Sequence, residues 1–82
     1  MKAKVSRRAL LQRINRKLLA EAEGDAARAD QVRTSRGDKA RQELGAFYRV
    51  DVGRNSIAEK DVDLEELGRE LKVLAAWERL DD

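Results

Sequence analysis

The sequence predicts a small single-domain α+β protein, and three observations support that class. Apolar residues recur at helical spacing between Ser6 and Glu23, alternate at strand spacing from Phe47 to Val52, and return to helical spacing after Asp63. Proline is absent and only five glycines interrupt the chain, which favours ordered elements over a linker. Because 82 residues suffice for one domain, residues 1–82 are treated as a single unit.

An amphipathic basic helix is predicted near the start of the chain. Ser6 is a suitable N-cap and Gly24 a suitable C′ residue, so the helix should run to about Glu23. At about 100° per residue, one apolar arc contains Leu10, Leu11, Ile14 and Leu18. The arc beside it carries Arg13, Arg16 and Lys17, whose loss should therefore spare the core. Leu19 falls outside the apolar arc and should contact a partner or a neighbouring loop.

The middle of the chain predicts an antiparallel hairpin. From Phe47 to Val52 the side chains alternate, with Tyr48, Val50 and Val52 on the face that the first helix should cover. Residues 53–56 (GRNS) supply a turn, and residues 57–62 return as the second strand. A third short strand over residues 31–36 precedes Gly37, after which Asp38 should cap a short helix over residues 39–44.

A C-terminal helix should begin after Asp63. Asp63 and Glu66 form a capping-box pattern, and Val62 and Leu67 occupy the positions of a hydrophobic staple. The apolar stripe that follows consists of Leu64, Leu67, Leu71 and Leu74. Gly68 on the same side allows another element to approach closely. At the two ends of the domain, residues 1–5 are predicted to be a flexible basic arm and residues 78–82 a short acidic tail, with Trp77 and Leu80 folded over the core.

Composition excludes most catalytic chemistry. Cysteine and histidine are both absent, which removes disulfides, thiolate metal sites and the commonest general base. We therefore predict no enzyme activity, no catalytic residue, no metal site and no cofactor. No apolar run reaches the length of a transmembrane helix, so the sequence predicts no membrane partner and a cytoplasmic location.

Charge is distributed unevenly along the chain. Residues 1–41 hold 12 Lys/Arg against 5 Asp/Glu, whereas residues 42–82 hold 6 against 11. Clustered cations of this kind suit nucleic-acid phosphates or an acidic protein surface. The candidate binding residues are Lys2, Lys4, Arg7, Arg8, Arg13, Arg16, Lys17, Arg33 and Arg36.

These residues predict a non-catalytic protein that binds the nucleic-acid backbone, DNA more than RNA. Because no aromatic residue is interleaved with the basic ones in sequence, strong base specificity is not expected. One alternative is a protein-binding module that docks on an acidic or nucleic-acid-binding complex. Another is a structural homodimer that uses Leu19 and Trp77, since the core of so small a domain is thin.

Three segments carry a resemblance: residues 6–18 (SRRALLQRINRKL), 62–71 (VDLEELGREL) and 77–80 (WERL). Together they resemble small uncharacterised proteins of bacterial mobile elements such as plasmids, phages and integrative elements. The resemblance implies either a DNA-associated accessory protein or a small inhibitor of a host defence complex, of the anti-CRISPR kind. It implies no particular functional residue.

Overall fold

The computed structural model describes residues 3–81, which form three helices and five short strands. The helices are α1 (Arg7–Glu21), α2 (Asp38–Leu44) and α3 (Leu64–Glu70). The strands are β1 (Ala3–Ser6), β2 (Gln31–Thr34), β3 (Phe47–Asp51), β4 (Ser56–Glu59) and β5 (Glu78–Asp81). Strands β2, β3 and β4 form an antiparallel sheet in that order, while β1 and β5 form a separate parallel pair. The α+β class and the third antiparallel strand are confirmed.

Helix α1 begins where the Ser6 hydroxyl accepts a hydrogen bond from the Ala9 amide at 3.1 Å. It ends at Glu21, two residues before the predicted end, and Gly24 adopts a φ of 80° just beyond it. Leu10, Ile14 and Leu18 are buried along one face of the helix, which follows from their helical spacing. This face forms one wall of the core.

The opposite wall of the core is α3 and the segment that follows it. Leu64, Leu67 and Leu74 are buried there, and Val62 packs with them in the same cluster. Gly68 lies so close to α1 that a Cβ atom at this position would be 2.9 Å from Cδ1 of Leu10. Glycine therefore allows the two helices to approach within contact distance, as its position in the apolar stripe predicts.

We expect Asp63→Ala to lower the free energy of unfolding by about 1 kcal/mol, the usual effect of losing an N-cap. The reason is that the Asp63 carboxylate accepts a hydrogen bond from the Glu66 amide at 3.2 Å at the start of α3. Urea denaturation of the variant checks this expectation, and ligand binding should be unchanged. Lost binding by a variant of normal stability would instead make Asp63 a ligand-contacting residue.

The three-stranded sheet turns a different face to the core than the alternation predicted. Val32 lies opposite Arg49 and Thr34 opposite Phe47, and Val32 and Phe47 pack with the core cluster. Val50 is also buried, but it lies on the other face, opposite Gln31 and Ile57. Both faces of β3 carry bulky apolar residues, so the alternation alone does not show which face the helices cover. The covered face is the one that contains Val32 on the neighbouring strand, because Val32 is part of the core cluster.

The bounds around the hairpin also differ from the prediction. Strand β3 ends at Asp51, and β4 spans Ser56–Glu59. The β3–β4 pairing is irregular between Arg49 and Val50, and beyond β4 the backbone turns at Asp61, whose φ is 51°. Asp38 is the first residue of α2 and not its cap: Gly37 occupies that position and makes no side-chain hydrogen bond there.

The predicted basic arm and acidic tail are wrong over the described residues, because they pair as β1 and β5. Val5 lies opposite Leu80, Val5 is buried, and Leu80 packs against the core cluster. Burial of these two side chains stabilises segments too short to show alternation in the sequence. Trp77 does not cover the core, since the residue is 65% exposed. Residues 1, 2 and 82 of the predicted arm and tail lie outside the described residues.

Candidate nucleic-acid interface

Five of the predicted binding residues line three grooves that share lining residues. The first groove, about 370 Å³, lies between α1 and Val73 and is lined by Arg13, Arg16 and Lys17. These three side chains converge because positions three and four apart in a helix share a face. They therefore form one cationic cluster on α1.

Two further grooves extend this cluster onto the sheet. The second groove, about 460 Å³, lies between α1 and β2 and is lined by Arg16 and Arg33 among others. The third, about 570 Å³, is lined by Arg33, Arg36 and Tyr48. Arg16 lines both the first and the second groove, and Arg33 lines both the second and the third, so the three grooves adjoin in series. We call them together the basic track, with cations Arg13, Arg16, Lys17, Arg33 and Arg36.

Asn15 joins the two elements that carry the track. Its side-chain amide donates to the Val32 carbonyl at 3.0 Å, and its side-chain oxygen accepts from the Val32 amide at 2.8 Å. Both Val32 groups are on the free edge of β2, so Asn15 pairs with the strand as a neighbouring strand would. The residue after Asn15 in α1 is Arg16, and the residue after Val32 in β2 is Arg33. These two hydrogen bonds therefore hold the backbone of α1 at Arg16 close to the backbone of β2 at Arg33.

Arg13 differs from the other cations of the track because it is engaged within the fold. One guanidinium nitrogen donates to the Val73 carbonyl at 3.2 Å and forms an ion pair with Glu78 at 3.0 Å. Arg13 lies outside the apolar core, but loss of its charge would remove these contacts with Val73 and Glu78. The exposed cations left for an external anion are Arg16, Lys17, Arg33 and Arg36.

The carboxylates of Glu65 and Glu78 hold β5 in place, and the pKa of each lies below its ordinary value. The pKa of Glu78 lies below its ordinary value, first because the Ala75 amide donates to it and next because Arg13 does. The pKa of Glu65 is also lowered, chiefly because the Leu80 amide donates to its carboxylate at 2.8 Å. Both carboxylates therefore stabilise the fold in their charged form.

We expect acidification below pH 4.5, the ordinary pKa of both groups, to destabilise the domain. Because the folded pKa values are depressed, the stabilisation is fully present above that pH and disappears as the pH falls through the folded values. Urea denaturation at neutral pH and at about pH 3 measures the loss. Glu78→Gln should lose less stability on acidification than the wild type does. Equal losses in the two proteins would show that Glu78 makes no contribution to the pH dependence.

The remaining predicted cations lie elsewhere. Lys4 is exposed on β1 opposite Arg79, and Arg8 is exposed near the start of α1. Neither of them lines the three grooves, and nor does Arg7. Lys2 lies outside the described residues. The basic residues of the N-terminal stretch therefore fall into two groups. Arg13, Arg16 and Lys17 line the grooves that also contain Arg33 and Arg36, whereas Lys4, Arg7 and Arg8 do not.

Carboxylates are concentrated in a different groove. It is about 130 Å³ in volume, and its charged lining residues are Glu59, Asp61, Asp63, Glu66 and Glu70. The carboxylate that lines the basic track is that of Asp30, and it accepts a hydrogen bond from Nε of Arg49 at 2.8 Å. This groove and the basic track therefore carry opposite charges, whereas a further groove at the end of α1 carries both signs and is lined by Glu21, Glu23, Asp30, Arg28 and Arg49. No acidic cluster within residues 3–81 has the geometry of a metal site.

Two residues of this region were not identified from the sequence. Tyr48 was assigned to the face beneath α1, but the register of β2 and β3 brings it beside Arg33. The polar position of Asn15 next to the apolar arc was the only signal for its role. Leu19, expected at a partner or a loop, lines the second groove with Ala26 and Ala29.

Fold and surface together define a small α+β domain with three adjoining grooves that are lined by cations. None of the described helices is long and apolar enough to span a membrane. Comparison with protein-family models, curated proteins and solved structures finds no match to this chain. The basic track is therefore the feature of this protein that bears most directly on function.

Proposed function

We propose that this protein binds nucleic acid without catalysis, by contacting the phosphate backbone along the basic track. The observation that carries the proposal is the alignment of four exposed cations, Arg16, Lys17, Arg33 and Arg36, along connected grooves. None of these four forms an ion pair with another described residue. Their charge is therefore available to an external anion.

The extent of the track favours a polyanion over a small anion. A single phosphate would occupy one groove, whereas the cations lie along three grooves in series on α1 and β2. Phosphates that repeat along a chain can occupy several of these sites together, and each contact releases condensed counterions. Such contacts position a nucleic acid without reading its sequence.

The groove that is lined by carboxylates supports the same proposal; its acidic residues are Glu59, Asp61, Asp63, Glu66 and Glu70. Its carboxylates repel phosphates, so a nucleic acid that approaches the protein is directed toward the basic track by the overall field. We further propose an accessory role of this kind on a bacterial mobile element, in the cytoplasm, with DNA as the principal ligand. These parts of the proposal are based on the resemblance and on composition.

Fluorescence anisotropy with labelled random-sequence oligonucleotides tests the proposal. We expect binding of the wild type at low salt, with the logarithm of the association constant falling linearly with the logarithm of salt concentration. Folded protein that fails to bind duplex and single strands alike at low salt would overturn the proposal. Recovery of a stoichiometric protein complex from cells, disrupted by loss of the same cations, would then support the protein-binding alternative.

A further inference from the structure

We propose that the ligand is a single-stranded nucleic acid and that one of its bases stacks on Tyr48. This inference rests on the proposed function and assigns the third groove of the basic track a base-binding role. The groove combines an aromatic ring with two cations, Arg33 and Arg36. Proteins that bind single strands combine these same two components: aromatic rings for bases and cations for the backbone.

The strand register places Tyr48 next to a cation. Tyr48 on β3 lies directly opposite Arg33 on β2, so the two side chains project from the same face of the sheet. Residues paired in this way have Cβ atoms about 4.5–5.5 Å apart. A base on the tyrosine ring would therefore have its own phosphate within reach of the neighbouring guanidinium.

The Tyr48 ring is available to a ligand. It lies on the face of the sheet opposite to that of Val32 and Phe47, which pack with the core, and it is partly exposed. Within residues 3–81 the Tyr48 side chain makes no hydrogen bond or ring contact. The other walls of the groove include Ala40 of α2, whose small side chain leaves space above the sheet.

The Arg33 side chain is hydrogen-bonded within its own strand. Its Nε and one terminal nitrogen both donate to the Gln31 side-chain oxygen, at 3.3 and 3.1 Å. The guanidinium is therefore hydrogen-bonded to Gln31, two residues away on the same strand. Ring and cation can thus bind separate parts of one nucleotide, the base and the phosphate.

Stacking on Tyr48 selects for single strands because a duplex hides the faces of its bases. In a duplex each base is already stacked between its neighbours, and a protein ring reaches it only after unpairing. A single strand exposes its bases at little cost. No aromatic residue is interleaved with the basic ones in sequence, but the register of β2 and β3 places Tyr48 beside Arg33.

Tyr48→Leu and Tyr48→Phe test the inference with a labelled oligo-dT strand and a random duplex of equal length. Tyr48→Leu keeps apolar volume but removes the ring, so its affinity for oligo-dT should fall about 5- to 150-fold, the range for losing one stacked base. Tyr48→Phe should bind like the wild type. Affinity for the duplex should change little in either variant, and melting temperatures report whether the folds are intact.

A second measurement uses the wild type alone. Oligonucleotides that contain 5-iodouracil form crosslinks to stacked aromatic rings on irradiation, and we expect the crosslink at Tyr48, the one tyrosine in the chain. Binding of single strands with unaltered affinity in Tyr48→Leu, or crosslinks only at other residues, would overturn the stacking inference while leaving backbone binding intact. Absence of binding to both probes would overturn the proposed function and the inference together.

Discussion

Asn15→Ala should lower the free energy of unfolding by about 2–4 kcal/mol, although alanine is the better helix former. The variant leaves two backbone groups of Val32 without partners, its amide and its carbonyl. Val32 is only 1% exposed, so water cannot readily replace the lost hydrogen bonds. For a domain of 82 residues, with a total stability of roughly 4–12 kcal/mol, the loss is severe.

Urea denaturation followed by circular dichroism measures this effect, with Gln12→Ala as the matched control. Gln12 lies on the same helix but is exposed, so its replacement should change stability by only a few tenths of a kcal/mol. Equal stabilities of the two variants would show that Asn15 is not the link between α1 and β2.

Replacing Arg16, Lys17, Arg33 and Arg36 together with glutamine should abolish nucleic-acid binding at physiological salt while leaving the melting temperature unchanged. The four side chains are exposed and form no ion pair with other described residues, so the fold loses little. Arg13 is left in place because its ion pair with Glu78 holds the C-terminal segment. Binding should fail because the track then has one cation, Arg13, which Glu78 already neutralises.

The matched control removes the same number of charges away from the track: Arg54, Lys60, Lys72 and Arg79, each replaced with glutamine. Both quadruple variants have the same net charge, so a general electrostatic effect would weaken binding equally in both. We expect the control to keep most of the wild-type affinity. Comparable losses in the two variants would show that overall charge, and not the track, determines binding.

Sequence patterns predicted the elements of this fold better than their arrangement. The Ser6 and Asp63 caps and the apolar stripes depend on local spacing, which the sequence displays directly. The pairing of β1 with β5 joins the two ends of the domain, and segments of four residues carry too little alternation to reveal it.

The candidate site could likewise be predicted only where it depends on local spacing. Clustering of Arg13, Arg16 and Lys17 follows from helical geometry alone. Whether these three cations lie near Arg33 and Arg36 depends on how β2 docks against α1. The position of Tyr48 depends on the register between β2 and β3, two strands that α2 separates in the sequence. The Arg13–Glu78 pair spans the domain and has no signal in local sequence.

The salt dependence of binding tests the basic track most directly, in a variant that still binds at low salt. The slope of log affinity against log salt is negative, and each lost phosphate contact reduces its magnitude by about 0.7 on a single strand and about 0.9 on a duplex. Arg33→Gln combined with Arg36→Gln should therefore reduce the magnitude of the slope by about 1.4–1.8. Arg54→Gln combined with Lys60→Gln should leave it unchanged. A slope for the Arg33/Arg36 variant equal to that of the wild type would contradict the assignment of the track as the phosphate-binding surface.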